Sequence, residues 1–157
     1  MNVQSKIKEE LCSRGYTLSA AESCTGGQIS HLLTTVPGSS QYYKGSVTSY
    51  AIEIKEKILG VPHGTIKKFG VVSSEVAQAM AEGVKKALNT DFSVATTGLA
   101  GPGGDDANPE GTVWIGVCGP HISRTICKHV KGSRTENIRN FANLALKELY
   151  KLILEDK

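Results

Sequence analysis

The sequence predicts a three-layer α/β/α sandwich built on a mixed sheet, and three observations carry that expectation. Through residue 97, short apolar strand-like runs alternate with helical segments, the pattern of a sheet covered on both faces. Two later runs, Thr112 to Cys118 and Ser123 to Val130, flank Gly119-Pro120 and so read as an antiparallel hairpin. A long amphipathic segment then closes the chain from Ser133 to about Leu154, with Ile138, Phe141, Ala142, Leu144, Ala145 and Leu149 as its apolar stripe.

The elements follow in order. A helix from about Val3 to Arg14 stops at Gly15, a residue that favours the left-handed geometry after a helix. Tyr16 to Ala21 is strand-like, and Thr25 to Thr35 fits a helix. Tyr43 to Tyr50 alternates and carries Val, Thr and Tyr, which suits a pleated strand. Ile52 to Leu59 reads as a short helix ended by Gly60, with a further helical turn at Thr65 to Phe69. Ser74 to Leu88 is helical, capped by Ser73 or Ser74, with Val76, Ala79, Met80 and Val84 turned inward. Phe92 to Thr97 is a buried strand.

Residues 1–157 read as one domain, large enough for a sizeable core. Hydrophobic residues make up 39% and charged residues 21%, a balance that suits a soluble globular protein. The net charge is +3, the basic residues are scattered and aromatics reach only 6%. That composition lacks the basic, stacking surface of a nucleic-acid binder. No apolar run approaches the ~20 residues of a membrane span, and the N-terminus has no signal-peptide core. A cytoplasmic location is the default expectation. Cys12, Cys24, Cys118 and Cys127 form no CxxC pair, and no histidine flanks them at zinc-site spacing. Reduced thiols are expected, and no metal or other cofactor.

The stretch Ala21-Glu22-Ser23-Cys24-Thr25-Gly26-Gly27 sits at the first strand-to-helix turn. A serine there projects its hydroxyl over the sheet edge. The glycines leave backbone N–H groups open, and a helix N-terminus adds positive potential for an anion or oxyanion. The plainer alternative is a Ser/Thr helix cap in a Gly-rich turn. A second Gly-rich loop, Thr97-Gly98-Leu99-Ala100-Gly101-Pro102-Gly103-Gly104, follows the buried strand. Backbone amides in such a loop form an anion nest, and no Gly-Lys-Ser/Thr makes it a P-loop. Asp105 and Asp106 favour its first half, Thr97 to Gly101, as the anion-binding part.

These blocks belong to an ordered set. AESCTGG is followed by Pro37 to Ser40, Gly45 to Tyr50, Glu53 to Lys55, Leu59 to Val61, Gly70 to Ser73, Thr97 to Gly104 and Gly111 to Ile115. From about Leu11 to Leu152 the chain resembles the CinA C-terminal-domain family, the nicotinamide-nucleotide amidases. Each block alone is weak, whereas the whole set in this order is highly specific.

The resemblance implies a Ser–Lys–Tyr amidase, with Ser23, Tyr50 and Lys55 at the matching positions. A serine needs a base, and none of the four histidines lies in a motif block. A neutral lysine takes the serine proton either directly or through the tyrosine hydroxyl, provided its pKa falls well below ~10.4. Lys57 competes for that role, and each of the three has an ordinary alternative as cap, core residue or solvated lysine. Glu22 is expected either to hold the lysine or to bind a ribose hydroxyl; a structural ion pair is the alternative. Cys24 is discounted as a nucleophile, having no histidine placed to make a thiolate. Thr25, Gly26 and Gly27 are expected at the substrate, with the two glycine amides on the oxyanion. Thr97, Gly98 and Gly101 are expected on the phosphate or the oxyanion, and Arg134 and Arg139 on the phosphate, the arginines matching a family Gly-Asp-Arg…Arg pattern in which Ser133 replaces aspartate; a surface helix arginine is the alternative for each. Ile52 also departs from the family, standing where asparagine is usual.

The implied reaction is hydrolysis of nicotinamide mononucleotide to nicotinate mononucleotide and ammonia. The residues by themselves indicate only a nucleophilic serine near an anion site. The expected partner is thus a small-molecule nucleotide, not nucleic acid or a membrane, and association into a homo-oligomer stays open. The alternative is a non-catalytic nucleotide-binding or regulatory module that works with a separate protein. A role in DNA uptake, suggested by the family's competence-related name, finds no support in the charge pattern.

Overall fold

The structure is a computed structural model covering residues 1–157. Its elements run α1 (Val3–Arg14), β1 (Leu18–Glu22), α2 (Gln28–Thr34), β2 (Tyr43–Thr48), α3 (Ile52–Lys57), α4 (His63–Phe69) and α5 (Ser74–Leu88). They continue with β3 (Phe92–Gly98), β4 (Thr112–Cys118), β5 (Ser123–His129) and α6 (Arg134–Glu155). One five-stranded sheet has the order β2-β1-β3-β4-β5. β1 pairs parallel with β2 and β3, while β3–β4 and β4–β5 are antiparallel, so the sheet is mixed as expected.

Apolar surface on both faces of the sheet explains the three layers. On one face α1, α2 and α6 bring Ile7, Leu11, Ile29, Leu33, Phe141 and Leu149 onto Leu18, Val94 and Ile115. On the other, α4 and α5 bring Ile66, Val76, Met80 and Val84 onto Ala21 and Ala95. β1 is central and all five of its residues are buried. No helix is long and apolar enough to cross a membrane.

Local signals set most element ends. The Asn2 side chain accepts from Ser5 N at 2.9 Å at the start of α1, and Ser73 accepts from Val76 N at the start of α5. Ser133 and Glu136 form a reciprocal capping box on α6. Among the boundaries that differ from expectation two lie beside the crevice, and one short element is new. α2 starts at Gln28 rather than Thr25, because Cys24 to Gly27 are spent on the turn that reverses the chain. β2 ends at Thr48, its last partner on β1 being Glu22, and Ser49 and Tyr50 lie beyond the sheet. A 3₁₀ turn at Ser39–Gln41 had no sequence signal.

The strand order makes one feature that matters for chemistry. From β1 the chain moves outward to β2, then returns to lay β3 on the other side of β1. The loops leaving the carboxyl ends of β1 and β3 therefore diverge and open a crevice between them, the usual ligand position in such sheets.

Candidate active site

Ser23 is the first residue past β1, held by a hydrogen bond from its N–H to Thr96 O on β3. It stands at the mouth of the crevice. The turn after it needs glycines at both Gly26 (φ 56°) and Gly27 (φ 108°), since both backbones lie in the left-handed half of φ. The opposite wall is the loop leaving β3. At Gly98 a Cβ would lie 2.6 Å from Thr112 O on β4 and 3.2 Å from Cys24 Sγ, so only glycine fits between β4 and the serine turn.

The third wall is α3, which delivers Lys55. This lysine is 1% exposed, and its Nζ lies 2.9 Å from Ser23 Oγ, 2.6 Å from Ser49 O and 3.1 Å from Tyr50 O. No carboxylate lies within ion-pairing distance of it. Burial disfavours the ammonium and lowers the lysine pKa from its ordinary value. The contact set accepts both forms, since an ammonium donates to all three oxygens and a neutral amine to two of them. In the neutral form two N–H groups satisfy the two carbonyls, and the lone pair is then directed at the serine hydroxyl.

Ser23 and Lys55 line a cavity of about 280 Å³ together with Cys24, Tyr50, Ile52, Val71, Val72, the 97–103 loop and Arg134. Arg134, the first residue of α6, donates through Nη1 to Gly101 O at 2.5 Å and through Nη2 to Tyr50 OH at 3.1 Å. The amides of Cys24, Ala100 and Gly101, all in residues lining this cavity, donate to no acceptor within the protein. A larger open groove of about 800 Å³ runs along α4, α5 and β5, and holds no nucleophile–base pair. No three His, Cys, Asp or Glu side chains converge as a metal site.

Several expected roles change in this geometry. Glu22 is fully buried and does not line the cavity. Its carboxylate accepts from Thr25 Oγ1 (2.7 Å), Gly27 N (3.2 Å), Ile29 N (2.8 Å), Ser30 N (3.0 Å) and Ser30 Oγ (2.8 Å). Adjacent strand residues point to opposite faces, so Glu22 turns under the start of α2 while Ser23 turns to the crevice. Glu22 thus satisfies the orphan amides of α2 and holds the serine turn; it meets neither Lys55 nor a ligand. Gly26 and Gly27 are not free for an oxyanion, because Gly26 N donates to Ser23 O and Gly27 N to Glu22. The Thr25 side chain is likewise committed, donating to Glu22 and accepting from Thr96. Thr97 lines the cavity, but its hydroxyl donates to Val71 O at 2.8 Å.

Tyr50 is divided between two places. Its carbonyl meets Lys55, while the residue as a whole is 62% exposed and its hydroxyl rests on Arg134 rather than between lysine and serine. The relay through the tyrosine hydroxyl is therefore not formed, and Lys55 touches Ser23 directly. Arg139 is exposed and outside the cavity. Five residues along a helix is a rotation of about 500°, which puts Arg139 some 140° around α6 from Arg134. Lys57 is exposed, unlike Lys55. Cys24 is buried and its thiol is pushed up to about 12 by burial, which makes it inert.

Three contributors escaped the sequence. The carbonyls of Ser49 and Tyr50 carry no side-chain signature at all. Asn137 did leave one: it sits four residues before Phe141, on the buried stripe of α6, where a polar residue is out of place.

The role of Glu22 has a measurable consequence. Glu22→Gln replaces an acceptor-only group with one that places donors against donors, and should cost about 3 kcal/mol or more of folding stability. Thermal unfolding measures this. A variant as stable as the parent would contradict the capping role.

Residues 1–153 match the family model described as the CinA C-terminal domain. A CinA-like protein of Prochlorococcus marinus subsp. pastoris is 45% identical over 157 residues, which is 98% of this chain and 36% of that protein. A CinA-like protein of Flavobacterium psychrophilum is 45% identical over 147 residues, 93% of this chain and 35% of that protein. The chain thus spans little more than a third of these curated relatives. Among solved structures, a competence-damaged protein (CinA) superfamily protein from Escherichia coli superposes with a TM-score of 0.92 at 30% identity, covering 96% of this chain and 88% of that one. A competence/damage inducible protein from Agrobacterium tumefaciens gives 0.91 at 33% identity, covering 96% and 93%.

Proposed function

The chain belongs to the CinA C-terminal domain family, and from that premise we propose that it is a serine amidohydrolase acting on nicotinamide mononucleotide. The observation that carries the proposal is the 2.9 Å contact between Ser23 Oγ and the amine of a buried lysine without a carboxylate partner. Such a lysine serves as general base at a pH where a solvated one cannot.

In the proposed reaction, Lys55 Nζ takes the hydroxyl proton as Ser23 Oγ attacks the carboxamide carbon. The developing oxyanion falls to the open amides of Cys24 and the Ala100–Gly101 segment, in place of the glycine amides that are already committed. Lys55, now an ammonium with three N–H groups for three acceptors, gives the proton to the carboxamide nitrogen as the C–N bond breaks, and that nitrogen leaves as ammonia. Water then attacks the acyl-enzyme by the same route in reverse, giving nicotinate mononucleotide and free Ser23. Ammonia release from nicotinamide mononucleotide tests this. A module that only binds nucleotides would bind it and release none.

Arg134 is proposed to hold the substrate phosphate. It starts a 22-residue helix, stands at the rim of the cavity, and spends only two of its five donors inside the protein. Arg134→Ala should raise KM for nicotinamide mononucleotide by about tenfold to a hundredfold. Tyr50→Phe, which loses only the hydroxyl resting on Arg134, should raise KM by a few-fold and largely spare kcat. Steady-state kinetics on the nucleotide and on free nicotinamide check both. A wild-type KM in Arg134→Ala, or free nicotinamide cleaved as fast as the nucleotide, would sink the assignment.

The mechanism needs no metal ion, and no metal-ligand cluster lies near Ser23. Treatment with EDTA should leave ammonia release unchanged. Loss of activity restored by a divalent ion would contradict a metal-free serine mechanism.

A further inference from the structure

We infer that Asn137 is a positioning residue for the anion end of the cavity, acting through Arg134. The inference rests on the proposal that Arg134 receives the substrate phosphate.

Asn137 lies in the second turn of α6 and is fully buried. Its Nδ2 donates to Ala100 O at 2.9 Å and to Gly132 O at 3.1 Å. Its own N–H closes the first helical turn onto Ser133 O at 2.8 Å. One side chain therefore ties the loop leaving β3 to the segment that leads into α6. The amide orientation is fixed by its partners, since two facing carbonyls require the NH₂ end.

Arg134 and Asn137 are three residues apart and so share a face of α6. Both reach the same loop, Arg134 at Gly101 O and Asn137 at Ala100 O. Their surroundings differ. Arg134 is exposed, and a long flexible side chain in water is weakly held by its own hydrogen bonds. Asn137 is out of water, where a hydrogen bond to a fixed backbone carbonyl is stiff. The buried pair sets the distance between the helix start and the loop, and the exposed arginine inherits its position from that distance.

The choice of residue supports a role beyond packing. Asn137 Oδ1 is buried with no hydrogen-bond partner. An orphaned buried acceptor is unfavourable, and it is offset by the two carbonyls the same amide satisfies, whose donor a leucine of similar volume would remove. The position otherwise belongs to an apolar stripe of Phe141, Ala145 and Leu149. Gly132 accommodates the amide, because a Cβ there would lie 3.1 Å from Oδ1.

The test compares Asn137→Leu with the parent, with Asn137→Ser as a second variant that avoids any packing clash. Two measurements are made on whichever variant folds. In the first, phenylglyoxal labelling of each arginine is followed by peptide mass spectrometry, with Arg139 as internal standard; this needs no activity. Release of Arg134 should change its labelling relative to Arg139 by about threefold or more. In the second, KM for nicotinamide mononucleotide should rise by about tenfold, and its kcat/KM should fall further than that of the phosphate-free riboside, whose smaller loss comes only from the Gly101 amide that shares a peptide unit with the Ala100 carbonyl. In an Arg134→Ala background the same substitution should change KM by less than about twofold, because the two residues act as one unit.

An unchanged labelling ratio overturns the inference. So do equal losses on nucleotide and riboside, full additivity with Arg134→Ala, or failure of both variants to fold, any of which would make Asn137 a purely structural residue. If the parent protein releases no ammonia, the amidase proposal fails separately, and the labelling ratio still decides the role of Asn137.

Discussion

Ser23→Ala is expected to abolish ammonia release from nicotinamide mononucleotide while the protein keeps its fold. Removing a nucleophile that works as part of a unit costs on the order of 10⁴–10⁶ in kcat. The fold should survive because the serine hydroxyl makes a single hydrogen bond, to Lys55, and the turn is held by backbone and by Glu22. Cys24 cannot substitute, its thiol being buried and held protonated. Comparison of kcat with circular dichroism of the variant checks both halves. Turnover near that of the parent would remove Ser23 from the mechanism and with it the proposed chemistry.

Lys55→Met should be nearly as damaging, losing on the order of 10²–10⁴ in kcat, whereas Lys57→Met should be mild. The two lysines are two residues apart, but only Lys55 is buried and in contact with Ser23. The pH profile carries the same information. A base acts when deprotonated, so kcat/KM should rise with pH through the pKa of Lys55, and burial places that limb below the ~10.4 of a solvated lysine. Folding stability moves in the same direction. In the window between the lowered folded pKa and the unfolded value, the unfolded chain binds the proton that the native amine has released. Stability from this group therefore increases as pH rises through the folded pKa and levels off above the unfolded one. Lys55→Met should flatten that rise in a series of thermal unfolding curves. A damaging Lys57→Met beside a mild Lys55→Met would show that the wrong lysine had been chosen.

The position of Tyr50 shows what family resemblance alone does and does not carry. The motif set Ser23, Tyr50 and Lys55 side by side, and the structure gathers them at one crevice. It also separates the tyrosine into a backbone carbonyl that orients the lysine and a hydroxyl that meets Arg134. Substituting phenylalanine tests only the second of these. The carbonyl contribution is invisible to side-chain substitution, as is that of Ser49.

The sequence by itself determined the order of the elements and placed most of their ends to within two residues. Gly15, Ser73 and the Ser133–Glu136 box mark helix boundaries through contacts within four residues, and such signals survive without knowledge of the fold. The turn that carries Ser23 was legible in part, through the two glycines at positive φ, while its anchoring by Glu22 and Thr96 was not. What each charged side chain faces was decided by tertiary structure. Glu22, Lys55, Arg134 and Arg139 look alike in a sequence as charged residues in or near motif blocks. The strand order β2-β1-β3 opens the crevice, and strand alternation then sends Glu22 beneath α2 and Ser23 into the opening. The path of α3 buries Lys55, 32 residues on from its serine, against two carbonyls, and the helical rotation of α6 carries Arg139 away from the site. These outcomes depend on contacts between distant segments, and on desolvation that exists only once the layers have closed.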